Sequence, residues 1–203
     1  RESDEEQASE RRLRNYFFED CWDSIPEAAQ GKLINIDLLW SSRERKKDYG
    51  DILEDLKLAT QDLLRLLLWD PFIQWRNSRH IKTDIKALKK EDNFKKTLQK
   101  LQEKNHEPAL PEFVAMLVVP SFEEFVRQRF SQNECEFILN NLSEPLKELN
   151  PERRKRAHSK TPRTWQREDV VPLLKTFFGI DCLGILPFLA RMLKEPSTQI
   201  AAT

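Results

Sequence analysis

Three observations predict an all-α, multi-helix bundle. Glycine is scarce, with four in 203 residues. Leucine, lysine, glutamate and arginine dominate, and all four are good helix formers. Apolar residues recur at helical spacing, with few runs in which apolar and polar residues alternate. At 39% hydrophobic and 33% charged residues the chain is neither disordered nor embedded in a membrane. Lys plus Arg and Asp plus Glu each total 34, so no global field draws the molecule to nucleic acid, and such a partner has to be met by a local patch.

The charged opening, Arg1 to Arg12, begins without Met and reads as a piece of a longer chain with further domains upstream. Residues 4–19 are expected to form a surface helix with its apolar residues late, at Leu13, Tyr16, Phe17 and Phe18. A break follows around Cys21 to Pro26, where Trp22 and Ile25 insert into the core. A second helix, capped by Ser24 or begun at Pro26, runs toward Ser42. The run Ile52 to Trp69 is the clearest helix: Ile52, Leu56, Ala59, Leu63 and Leu67 share one face, and pairing it against residues 28–42 makes the heart of a bundle. Asp70-Pro71 is expected to stop it.

Arg76 and His80 imitate a functional Arg/His pair but are one residue too close, and read as a decoy. Ile81 to Lys104 is rich in lysine and thin in apolar residues, and reads as one or two exposed helices. An insertion covering about 76–111 is expected here, with a solvated face as its ordinary role and RNA-backbone contact as the alternative. Beyond a loop with two prolines, Ser121 and Glu124 have the spacing of a capping box. Phe137, Ile138 and Leu142 continue the core. The last helices are expected over Arg167 to Phe178 and Leu183 to Lys194, with Gly179 as the C-cap between them, and residues 195–203 as a flexible tail. Cys21, Cys135 and Cys182 stand far apart, which suggests neither a zinc site nor a disulfide framework. No run reaches membrane-spanning length and no signal peptide opens the chain, so a cytoplasmic protein without a membrane partner is expected.

The stretch that carries chemistry is Leu149-Asn150-Pro151-Glu152-Arg153-Arg154-Lys155-Arg156-Ala157-His158-Ser159. Asn150 is a good N-cap and Pro151 a good first residue, so a helix is expected to start here with its basic side chains near an end that already favours anions. Leu146 to Asn150 runs in, Arg153 and His158 bracket four residues, Ser159 to Arg163 is a polar link, and Thr164 to Asp169 opens the last amphipathic segment. In this order the stretch resembles the active-site segment of HEPN domains, all-helical modules with an Arg and a His near the start of a late helix. Ser24 to Ala29 also looks like their N-terminal portion. The resemblance is loose over most of the chain and specific only over residues 146–193. It departs from the family pattern at Arg154, where Asn or another small polar residue is common.

A single HEPN-like domain over residues 1–203 is the expectation that follows, with Arg153 and His158 as the catalytic pair. The resemblance implies a composite site across a two-fold dimer, each protomer giving one Arg and one His, in a bacterial protein of defence or toxin type. The residue types suit RNA cleavage. A histidine with a pKa near ~6.5 moves protons at neutral pH, and a guanidinium clamps the phosphorane. His158 is then acid or base and Arg153 the clamp, while Arg154, Lys155, Arg156 and Arg163 contact substrate. Arg154 shares a helical face with His158 and is the alternative clamp. No metal or cofactor is needed. The expected partners are RNA, with transfer RNA as a candidate, a second copy of the chain, and other domains of a larger protein. Two other classes stay open: a helical scaffold in which the Arg/His pair is incidental, and an RNA binder that does not cleave.

Overall fold

The computed structural model describes residues 3–42, 49–78, 85–150, 164–179 and 184–194. They are all-α, with no strand among them. In chain order the helices are α1 (Asp4–Leu13), α2 (Glu27–Ser41), α3 (Gly50–Leu64), α4 (Asp70–Asn77), α5 (Ile85–Lys104), α6 (Leu110–Leu117), α7 (Pro120–Arg129), α8 (Gln132–Glu136), α9 (Ser143–Glu148), α10 (Arg167–Leu174) and α11 (Ile185–Lys194). Four π-helical turns follow α1, α3, α8 and α10, at Arg14–Phe18, Arg65–Trp69, Phe137–Asn141 and Lys175–Gly179. None of the described helices is long and apolar enough to cross a membrane. The chain divides into two compact units, one of residues 1–64 and 148–195, the other of 65–147 and 196–203.

In the first unit α2 and α3 form the most extensive helix pair. Lys32 Nζ meets Asp62 at 2.5 Å and Asn35 Nδ2 meets Asp55 at 2.5 Å. The partner number falls as the other rises, so the two helices are antiparallel, as their matching apolar stripes predict. Helix α1 lies beside α2 and runs in the same direction: Ser9 Oγ donates to the Ile34 carbonyl at 3.3 Å, and Arg12 binds Asp37 with Nε at 3.1 Å and Nη2 at 2.5 Å. The constant offset of 25 residues makes that pair parallel. Ser3 caps α1 with a reciprocal bond from its own N–H to Glu6.

The expected helix over 4–19 is present as α1 and the π turn that continues it to Phe18, with the break at Glu19. After α1 the backbone widens into the π turn, then tightens into a 3₁₀ turn at Glu19–Ser24, which puts Phe18, Cys21 and Trp22 entirely inside. Helix α2 starts at Glu27 with Pro26 in the cap position. Ser24 is not its cap; its hydroxyl bonds the Cys21 carbonyl instead.

In the second unit the core is aromatic. The Phe72 ring lies 5.2 Å from Phe122, 5.5 Å from Phe125 and 5.8 Å from Phe94, and Trp69 meets Phe94 and Phe113 edge-on at 5.7 and 5.5 Å. Asp70-Pro71 opens a helix where the sequence suggests a stop. Pro71 stands in the first turn of α4, where its missing N–H costs nothing, and the preceding π turn carries the backbone to that point. Helix α5 is a single helix, and it is pinned by Phe94, 2% exposed, which supplies the burial its thin apolar pattern lacks.

Ser121 is not the cap of α7. The helix begins one residue earlier, at Pro120, and the Ser121 N–H is taken by Glu91 of α5 at 2.9 Å. Glu124 binds Gln128 on its own helix. A capping box does occur one helix later, where Ser131 and Glu134 open α8.

Candidate functional site

Arg153, Arg154, Lys155, Arg156, His158 and Arg163 lie outside the described residues. What the structure defines is where that basic segment leaves and re-enters. Leu149, just before it, is 2% exposed, and Trp165, just after it, is 6% exposed. Both belong to the first unit. Burying side chains of this size contributes roughly 1.5–3 kcal/mol each.

The re-entry point is held on three sides. The Trp165 carbonyl accepts the Tyr49 N–H at 3.0 Å. The Tyr49 ring packs edge-on against Trp40 at 6.1 Å, and the Arg167 guanidinium sits 5.0 Å from the centre of the Trp40 ring. Residues from the end of α2, the start of α3 and the start of α10 are thereby gathered around one indole. Asp169 accepts the Gln166 N–H at 3.3 Å and so closes the first turn of α10. A cation in that turn opposes the helix dipole, which the face of Trp40 offsets with roughly 0.5–1 kcal/mol at an exposed site.

Beside this cluster lies a groove of about 290 Å³. Its apolar lining comes from Leu13, Ile36, Trp40, Leu174 and Phe178, and Arg167 and Lys175 line it as well. Two π turns shape it: Phe17 comes from the turn after α1 and Phe178 from the turn after α10, their rings 5.3 Å apart. Asp37 also lines it, but its carboxylate is held by Arg12. The pairing of Trp40 with Arg167 depends on two helices far apart in the chain, and no local pattern announces it.

Of the decoy pair, His80 lies outside the described residues, while Arg76 is structural. Its Nη2 meets Glu91 at 3.1 Å, and its guanidinium stands 5.8 Å from the Phe94 ring. On α5, Lys89, Lys90, Lys95, Lys96, Lys100 and Lys104 are exposed, and none has an ion-pair partner among the described residues. Cys21 and Cys135 are buried free thiols, and burial pushes both upward in pKa, which makes them poor nucleophiles. No group of three metal-ligating side chains occurs among the described residues. Comparison with protein-family models, with curated proteins and with solved structures gave no match to this chain.

Proposed function

We propose that this chain is a metal-independent RNA endonuclease of the HEPN type, working in the cytoplasm as an effector in a defence or toxin system. The observation that supports it is the Arg153/His158 spacing in a basic segment whose two flanks, Leu149 and Trp165, are buried in one helical unit. Such a segment is presented by fixed ends, as a site that must position two side chains requires.

In this mechanism His158 takes the proton of a ribose 2′-OH, and the oxygen attacks the adjacent phosphate. The 5′-oxygen then leaves with the proton that the protonated His158 returns, giving a 2′,3′-cyclic phosphate and a 5′-hydroxyl end. Arg153 or Arg154 holds the charge that builds on the phosphorane, and Arg156, Lys155 and Arg163 track the substrate backbone. The need for a 2′-OH restricts the substrate to RNA. The composite arrangement calls for a homodimer or for a second HEPN copy in a longer protein.

The test is cleavage of end-labelled transfer RNA and a mixed-sequence RNA in EDTA by the chain, Arg153→Ala and His158→Ala. Cyclic-phosphate ends that disappear in both variants support the nuclease with Arg153 as clamp; cutting undiminished in His158→Ala refutes the assignment, and cutting that persists only in Arg153→Ala passes the clamp to Arg154. A second reading, an RNA binder that does not cleave, is favoured by the exposed lysines of α5. It predicts salt-sensitive binding that survives His158→Ala.

A further inference from the structure

We propose that the groove between α1, α2 and α10 is a binding site for a small amphiphilic anion, an aliphatic chain ending in a carboxylate. The inference does not depend on the nuclease reading. Its first support is the lining. Leu13, Ile36, Leu174 and Phe178 are each at most 6% exposed, yet they wall an open groove with Phe17, Trp40 and Val171 half-buried at its margin. At roughly 30 Å³ for a water-sized group, 290 Å³ holds about ten methylene-sized groups. That is near the lower bound, ~300 Å³, of pockets that bind small molecules.

The second support is charge. The one carboxylate in the lining, Asp37, is already held by two nitrogens of Arg12. Arg167 is fixed over Trp40 and makes no ion pair among the described residues. The groove therefore presents an apolar lining with two cationic side chains, Arg167 and Lys175, and one neutralised carboxylate, a complement to an apolar chain with an anionic head. The third support is backbone geometry. Phe17 and Phe178, whose rings meet in the lining, both come from π turns, a distortion that tends to accompany ligand sites.

Decanoate is the probe, followed by titration calorimetry against the full chain, with decanol as the uncharged control. The expected result is saturable binding of one decanoate per chain, weakened roughly tenfold by Arg167→Gln through loss of a charge-assisted hydrogen bond, with decanol unaffected by that change. Val171→Trp, at a half-buried wall position, fills the groove and is expected to abolish both. Circular dichroism and thermal melting check that this variant folds. If it does not, Val171→Glu takes its place and is expected to repel decanoate more than decanol. No saturable binding, or binding indifferent to the folded Val171 variant and to Arg167→Gln, overturns the proposal. So does a concentration-dependent dimer, seen by sedimentation and dissolved by the Val171 variant, which would give the groove to a second copy of the chain.

Discussion

The Glu91 carboxylate joins two elements at once: Oε1 accepts the Ser121 N–H at 2.9 Å, and Oε2 meets Arg76 at 3.1 Å. Glu91 is 6% exposed, so a charge from α5 completes the first turn of α7 and balances the Arg76 guanidinium of α4. Removing it strands both partners. Breaking a buried pair costs about 3–5 kcal/mol, and because Arg76 keeps some solvent contact the lower end applies. Glu91→Ala is expected to lose about 3 kcal/mol in urea denaturation. The double change Arg76→Met with Glu91→Gln, which removes the charges but keeps an acceptor for Ser121, should recover most of that. Equal losses in the single and double variants would mean that the ion pair is not what holds these helices.

Gly179 and Gly184 stand back to back. A Cβ on Gly184 would lie 2.4 Å from the carbonyl carbon of Phe178 and 2.5 Å from its oxygen, and Gly179 itself adopts φ +87°, a left-handed conformation. The obstacles are backbone atoms, which have no side-chain freedom with which to yield. Gly184→Ala is expected to destabilise by about 1–3 kcal/mol, the cost of overpacking, and Gly31→Ala, with nothing within 4 Å of the added carbon, serves as the neutral or stabilising control. A thermal melt in which the two variants coincide would refute the close approach.

How far the sequence revealed this architecture depended on whether the cause was local. The stripe Ile52, Leu56, Ala59, Leu63 is a property of one segment, and it marks the buried face of α3 in the structure. The positive φ of Gly179 was likewise legible, because only glycine suits that turn. The start of α4 was not, since Asp70-Pro71 opens a helix as readily as it ends one and the preceding π turn decides between them. The cap of α7 was missed because its acceptor, Glu91, lies thirty residues upstream. For the candidate site, Arg153 and His158 could be named from spacing. The Trp165, Tyr49, Trp40 and Arg167 cluster is a tertiary fact with no local signature.

The N-terminal region should carry an acid-sensitive component of stability. The Glu6 carboxyl is held below its ordinary 4.5 by the Ser3 N–H and then the Ser3 hydroxyl; Asp20 and Asp23 are held below 3.8 by hydrogen bonds from Lys194 and Arg14. For each, the folded-state pKa is depressed relative to the unfolded one, so the unfolded chain binds more protons as the pH falls. The stabilisation is therefore complete above the unfolded values and is lost as pH falls through the folded ones. Glu6→Gln, Asp20→Asn and Asp23→Asn combined should flatten the stability profile below about pH 4 relative to the unmodified chain. The three groups are exposed, so the difference should shrink at high salt. A profile of unchanged slope would mean that these bonds do not persist in solution.

The roles proposed for the basic segment separate kinetically. His158→Ala should lower the cleavage rate by about 10²–10⁴, the usual contribution of a general acid or base, with RNA affinity preserved because every phosphate-binding cation remains in place. For the two adjacent arginines the outcomes differ. The one that stabilises the phosphorane acts only in the transition state, so its alanine variant lowers kcat and kcat/KM together. Replacing the one that tracks the substrate backbone raises KM and reduces the salt slope of binding to single-stranded RNA by about 0.7 for each phosphate no longer neutralised. Measuring both parameters for Arg153→Ala and Arg154→Ala assigns the clamp, with Arg153 expected to carry the kcat effect. If the reverse holds, the HEPN register shifts by one residue and the chemistry survives. If the dimeric chain cuts no RNA in EDTA while still binding it with a steep salt slope, Arg153 to Arg156 and Arg163 form a binding surface and the nuclease assignment fails.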